Sequence, residues 1–138
     1  NDLLMAKEFK HKIKIYYEDT DSGGIVYYAN YLKFIERART NMIQELGFSL
    51  KSLSEQYDCH FVVKNINCDY IQSAKLEDDL NVQTKFLNIK NASFELEQNI
   101  FRNNELIFKS KVIMVNINSS GKPLRIPQSL LSVVMKND

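Results

Sequence analysis

An α+β fold, with a curved antiparallel sheet of about five strands wrapped around one long central helix, is predicted by three features of the sequence. Residues 31–46 carry an apolar period of three and four. The segments after residue 60 alternate with the period of two expected of strands. Those strand segments are bunched together instead of interleaved with helices, which argues against a parallel βαβ arrangement.

Residues 9–17 place Phe9, His11, Ile13 and Ile15 at every second position, the pattern of a half-buried first strand. A bend follows around Gly23 and Gly24. From residue 31 to 46, Tyr31, Leu32, Phe34, Ile35, Ala38, Met42, Ile43 and Leu46 fall on one helical face, with Gly47 as a stop and Asn30 as the expected N-cap. Residues 49–57 read as a short second helix. Residues 61–71, 79–89, 93–101 and 106–117 are strand-like, separated by Ser73-Ala74-Lys75, Lys90-Asn91 and Asn103-Asn104. Phe94, Leu96, Gln98 and Ile100 face one way against Glu95, Glu97 and Asn99, so one sheet face is covered and the other wetter. Residues 119–123 form a turn, and residues 127–135 a closing helix with Pro127 in its first turn. With no linker or repeat, residues 1–138 are expected to form a single domain. One sheet on one helix leaves an apolar face, so a homodimer or larger assembly is expected.

At 138 residues and 44% hydrophobic, with eight Phe and seven Tyr, the chain can bury a core without staples. The net charge of +1 comes from scattered basic residues, which argues against a nucleic-acid partner. Cys59 and Cys68 read as reduced, semi-buried strand residues, and His11 as a half-exposed one. Neither the cysteines nor His11 and His60 make a metal spacing, so no metal and no cofactor is expected. Residues 1–5 lack the basic start and long apolar run of an export signal, and no window reaches the length of a membrane span, so a cytoplasmic location is expected.

The chemistry is concentrated in residues 17–31, where a strand end, two carboxylates, paired glycines and a helix start follow one another. The glycines let a substrate approach the backbone, and the helix start offers unpaired N–H groups to an electron-rich atom. This is the layout of an acyl-transfer site. Taken alone, Asp19 and Asp21 would read as turn residues bonded to nearby backbone.

Tyr17-Glu18-Asp19-Thr20-Asp21, Gly24-Ile25-Val26-Tyr27, Asn30-Tyr31 and Glu36-Arg37-Ala38-Arg39-Thr40 resemble, in order and spacing, the hotdog-fold acyl-CoA thioesterases of the 4-hydroxybenzoyl-CoA thioesterase and YbgC type. Phe61-Val62-Val63-Lys64, Ala74-Lys75-Leu76-Glu77-Asp78 and Lys122-Pro123-Leu124-Arg125-Ile126-Pro127 extend the resemblance over about residues 9–130. It implies the hotdog fold and hydrolysis of an acyl-CoA to a free acid and coenzyme A. Asp21 would be the catalytic carboxylate, as nucleophile or general base. The backbone N–H of Tyr28 would polarise the carbonyl, and Gly24 would keep the turn tight. Many YbgC-type sequences carry His where this chain has Tyr28, so a proton-shuttle role does not transfer, and the Tyr28 side chain is left to line the acyl pocket. Tyr27, Lys64, Lys90 and Arg125 are the implied substrate-binding residues, Lys90 and Arg125 meeting coenzyme A phosphates, often across a subunit boundary, and Lys64 beside a strand that edges the pantetheine tunnel.

Asp19 reads as structural. Glu36, on the central helix where another branch of hotdog thioesterases keeps its acid, is the reserve catalyst, although Arg37 and Arg39 favour an ion pair for it. The resemblance also implies a homodimer or homotetramer, an acyl carrier protein as a further partner, and association with the Tol-Pal system or phospholipid synthesis. The competing reading is a non-catalytic module that binds acyl-CoA or an acyl carrier protein.

Overall fold

The computed structural model describes residues 7–135; residues 1–5, on which the absence of an export signal was argued, lie outside that range. Five strands, β1 (Phe9–Lys14), β2 (His60–Tyr70), β3 (Asp79–Ile89), β4 (Ser93–Arg102) and β5 (Glu105–Ile117), form one sheet in the order β1-β3-β4-β5-β2. Every neighbouring pair is antiparallel. The long helix α1 (Asn30–Glu45) lies over β1 and β3, followed by α2 (Leu50–Tyr57); α3 (Gln128–Val134) closes the described chain.

The periodicity of residues 31–46 is what the core uses. Tyr31, Phe34, Ile35, Ala38, Met42 and Ile43 are buried on one side of α1, against Ile13, Leu80, Val82, Leu96, Ile100, Phe108 and Val112 from the sheet. Register shifts at Val63/Asn65, Phe86/Asn88 and Ile100/Phe101 interrupt the ladders. Such irregularities bend a strand and increase its twist, which suits a sheet that must curve around a helix. Buried Gln98 is satisfied within the core: its amide donates to the Ile35 carbonyl and to Thr84 Oγ1, and its Oε1 accepts from Arg39.

Several boundaries differ from the sequence expectation for identifiable reasons. β1 stops at Lys14, because the Ile15 N–H donates to the Asp78 carbonyl and the chain then closes a 3-10 turn at Tyr17–Asp19. Asn30 is not the N-cap of α1. Ala29 holds that position in helical conformation with no side-chain cap, the Asn30 N–H closing a turn onto the Tyr27 carbonyl. The stop is as expected: Gly47 takes φ 93° and the Phe48 N–H returns to the Ile43 carbonyl. Cys59 is fully buried just before β2, where burial pushes its thiol up to about 11, while Cys68 is half-buried within β2. His11 is half-buried, facing Asn41 on α1.

Candidate active site

Residues 19–26 fold back on themselves. The Asp21 N–H donates to the Ile25 carbonyl (2.9 Å), the Gly24 N–H to the Asp21 carbonyl (3.1 Å), and Thr20 bridges to Val26. One carboxylate oxygen of Asp21 accepts from the Gly23 N–H at 2.8 Å, which fixes the side chain while leaving it exposed. A Cβ on Gly23 would sit 3.2 Å from that same oxygen, and Gly24 needs φ 80°, so both glycines serve the acid's placement. Asp19 differs. It is 8% exposed, and its Oδ2 accepts from the Tyr16 N–H, a structural role that matches its sequence reading.

The loop is joined to the start of α1 at several points. The Asp19 carbonyl accepts from both the Tyr27 N–H and the Asn30 side chain, so Asn30 is a tether to the acid loop where a cap was expected. Residues 73–78 brace the other side. The Ala74 carbonyl accepts from the Val26 N–H, Ile25 bridges to Lys75, and the Ala74 N–H donates to the Tyr31 hydroxyl at 2.9 Å. Tyr31 is in turn stacked on Phe108 with ring centroids 5.3 Å apart. Between these anchors, the N–H groups of Tyr28 and Ala29 find no acceptor among the described residues. An uncapped helix entrance of this kind offers free donors and the positive end of the helix dipole.

Asp21 and Tyr28 both line an open cleft of about 340 Å³, together with Ile25, Tyr27, Tyr31 and Tyr70. Its walls are aromatic. Tyr27 and Tyr28 stand 4.9 Å apart, and Tyr70 meets Tyr28 and Tyr31 edge-on at 6.2 and 5.5 Å. The Tyr27 phenol is raised above its usual value by its hydrogen bond to Tyr28, and burial raises those of Tyr31 and Tyr70, so these three phenols stay protonated at neutral pH. A carboxylate, free backbone donors and an apolar wall thus meet at one opening.

Other sequence candidates lie elsewhere. Lys64 is exposed at the irregularity of β2, six residues from Tyr70, or about 20 Å at about 3.3 Å per residue. Lys90 and Arg125 are exposed and near each other, since the Ile126 N–H donates to the Asn91 carbonyl. They sit at the far end of β3 from the Asp21 loop, roughly 33 Å away by strand rise. Within one chain Lys90 and Arg125 therefore lie well away from the Asp21 cleft.

Glu36 lines a separate cavity of about 230 Å³ with Arg39, Thr40, Phe61 and Met114. The ion pair expected for it is not formed among the described residues. The carboxylate accepts from Thr40 Oγ1 at 2.8 Å and Arg39 turns to Gln98. Asn30, Tyr31 and Gly23 join the site in roles not assigned from sequence, although Asn30-Tyr31 stood in a quoted motif and Gly23 in the paired-glycine turn.

Among the described residues no cluster of His, Cys, Asp and Glu could hold a metal ion, and no helix is long and apolar enough to cross a membrane.

Comparison with known proteins bears on the family and the fold. Residues 16–134 match the model of the thioesterase-like superfamily. An acyl-CoA thioesterase YbgC of Haemophilus influenzae is 40% identical over 129 residues, covering 92% of this chain and 94% of its own. Among solved structures, a probable thioesterase from Bartonella henselae superposes with a TM-score of 0.85 at 30% identity, covering 88% of this chain and all of the other. The 4-hydroxybenzoyl-CoA thioesterase of Pseudomonas sp. strain CBS-3 reaches 0.86 at 19% identity over 93% of this chain and 99% of its own, a likeness of fold. The arrangement is the hotdog fold anticipated from the sequence.

Proposed function

The chain belongs to the thioesterase-like superfamily, in its YbgC branch, and is a thioester hydrolase; from that premise we propose that it hydrolyses acyl-CoA with Asp21 as the reacting carboxylate. The observation that carries the proposal is the juxtaposition of Asp21 with Tyr28, whose backbone N–H is unpaired, at one aromatic-lined cleft.

The thioester carbonyl is set at the helix entrance, where the Tyr28 N–H and the helix dipole stabilise the charge that develops on oxygen. In the nucleophilic route, an Asp21 oxygen bonds to the carbonyl carbon and the C–S bond breaks. Coenzyme A leaves as thiolate, and water then hydrolyses the mixed anhydride to regenerate Asp21. In the general-base route, Asp21 takes a proton from water as the water oxygen bonds to that carbon, and the proton passes to the departing sulfur. Both routes use the same two groups. The Gly23 N–H orients one carboxylate oxygen and leaves the other for chemistry. The exposed Tyr28 ring forms cleft wall, and Tyr27 lies against it to hold the acyl group.

Lys90 and Arg125 serve this site from a second copy of the chain, because strand length keeps them away from it within one chain, and Lys64 edges the pantetheine path along β2. β2 is an edge strand that leaves Val62, Val63 and Tyr70 at 40%, 43% and 46% exposure, which supports pairing into a homodimer or homotetramer. An acyl carrier protein carrying the same thioester arm and Tol-Pal components belong to the same proposal as partners, with a single cytoplasmic domain as the working unit.

Release of free thiol from a panel of acyl-CoA thioesters tests the reading. Turnover that saturates with substrate is expected. Tight binding across the panel with no thiol released would support the non-catalytic binding module instead.

A further inference from the structure

We propose that Arg102, remote in sequence from every motif of the site, is a positioning residue that sets the separation between Asp21 and the entrance of α1. It acts through residues 73–78.

Arg102 ends β4 with a 22% exposed side chain. Its Nη1 donates to the Ser73 carbonyl (2.9 Å) and to Asp78 Oδ2 (2.9 Å), and its Nη2 donates to Glu105 Oε1 (3.0 Å). These contacts hold both ends of residues 73–78. The same Asp78 oxygen accepts from the Lys75 N–H at 2.9 Å, so the Arg102–Asp78 pair also fixes the middle of the segment.

Three hydrogen bonds then lead from this segment into the site. The Val26 N–H donates to the Ala74 carbonyl and the Leu76 N–H to the Gly24 carbonyl, the pair that bridges Ile25 to Lys75, and the Ala74 N–H donates to the Tyr31 hydroxyl in the first turn of α1. The segment thus touches the acid loop on one side and the helix entrance on the other; Glu77 and Asp78 pair with Ile15 at the end of β1, and the Arg102 guanidinium joins Ser73 and Asp78 to the end of β4. A planar fork with donors in fixed directions suits this task, because it holds two acceptors in set positions where an ammonium would act as a single point charge. Displacements near 1 Å at reacting groups can cost about 100-fold in rate, so a slack segment is read out in turnover before it is read out in binding.

The inference rests on Asp21 being the reacting carboxylate, and the experiment separates the two claims. Steady-state kcat and KM are measured with one acyl-CoA for wild type, Arg102→Gln, Arg102→Lys, Asp78→Asn, the Arg102→Gln/Asp78→Asn double variant and Asp21→Asn. Lys14→Gln serves as a control that breaks the Lys14–Asp79 ion pair at the neighbouring strand end. Activities are taken per folded molecule, well below each melting temperature. Arg102→Gln is expected to lower kcat by 10- to 100-fold with KM changed less than about threefold, and Arg102→Lys to recover part of the loss. The double variant should be no worse than the more impaired single one, and Lys14→Gln should match wild type.

Wild-type kcat in folded Arg102→Gln, with Asp21→Asn inactive, overturns the positioning role alone. Activity in Asp21→Asn overturns the acid assignment beneath it. Should Arg102→Gln fail to fold, Arg102→Lys and Asp78→Asn decide on the same criteria: unchanged kcat in both overturns the proposal, and reduced kcat at near-constant KM supports it.

Discussion

Tyr31→Phe removes one oxygen atom from a position that is 2% exposed and keeps the ring that stacks on Phe108. What it deletes is the acceptor for the Ala74 N–H, and Ala74 is 0% exposed, so no water replaces it. Leaving a buried donor unpaired costs about 1–3 kcal/mol, while the apolar transfer term is nearly unchanged because the ring stays. For a domain of this size that lowers Tm by about 3–15 °C, at roughly 3–5 °C per kcal/mol. Urea denaturation should show a lower midpoint with the same m-value, since the surface exposed on unfolding hardly changes. In folded protein kcat should fall as well, because the lost bond joins the helix entrance to the segment that braces the acid loop. A Tyr31→Phe protein with wild-type midpoint and wild-type kcat would refute the claim that this hydroxyl ties the site together.

Two further outcomes follow from the same geometry. Tyr28→Ala keeps the backbone N–H and removes an exposed ring, so Tm should stay within about 1–2 °C of wild type, kcat within about tenfold, and acyl preference should shift across a substrate panel; a collapse in kcat equal to that of an Asp21 variant would move the role to the side chain. Asp58 is held down to about 2, first by the Ser119 hydroxyl, then by the Ser119 N–H and His60. A lowered carboxyl stabilises the fold above its unfolded value near 3.9 and loses that contribution as pH falls through its folded value. Asp58→Asn should therefore melt below wild type at pH 7, and the gap should close as pH falls from about 4 to about 2; a gap independent of pH would contradict the linkage.

The parts of the fold that rest on local period were legible in the sequence. The apolar stripe from Tyr31 to Ile43 is the buried face of α1 except at Leu32, which one helical position past Tyr31 turns off that face and is exposed, and Phe94, Leu96, Gln98 and Ile100 face the core as their alternation implied. The turn carrying Asp21 was legible because its glycines and acids are neighbours in the chain. What the sequence hid depends on contacts between distant residues. Asn30 looked like a cap, yet the chain enters α1 through a turn already helical at Ala29, which frees the Asn30 side chain to reach Asp19. Glu36 beside Arg37 and Arg39 looked like an ion pair, but Gln98 on β4 offers Arg39 a buried acceptor that only the packing of helix on sheet provides. Arg102 meets Asp78 because β3 and β4 pair with Leu80 opposite Arg102, a register no local motif encodes. Lys90 and Arg125 carry the right charge for a coenzyme A phosphate, and the length of β3 keeps them from the cleft within one chain.

The central claim is that one carboxylate, held by the Gly23 N–H beside an uncapped helix, performs the chemistry. Asp21→Asn preserves size and removes the charge, so the most direct measurement is its kcat on an acyl-CoA that the wild-type protein hydrolyses, with substrate affinity measured alongside. The account predicts a fall of about 100- to 10,000-fold in kcat with affinity retained; a folded Asp21→Asn protein turning over at the wild-type rate would contradict it.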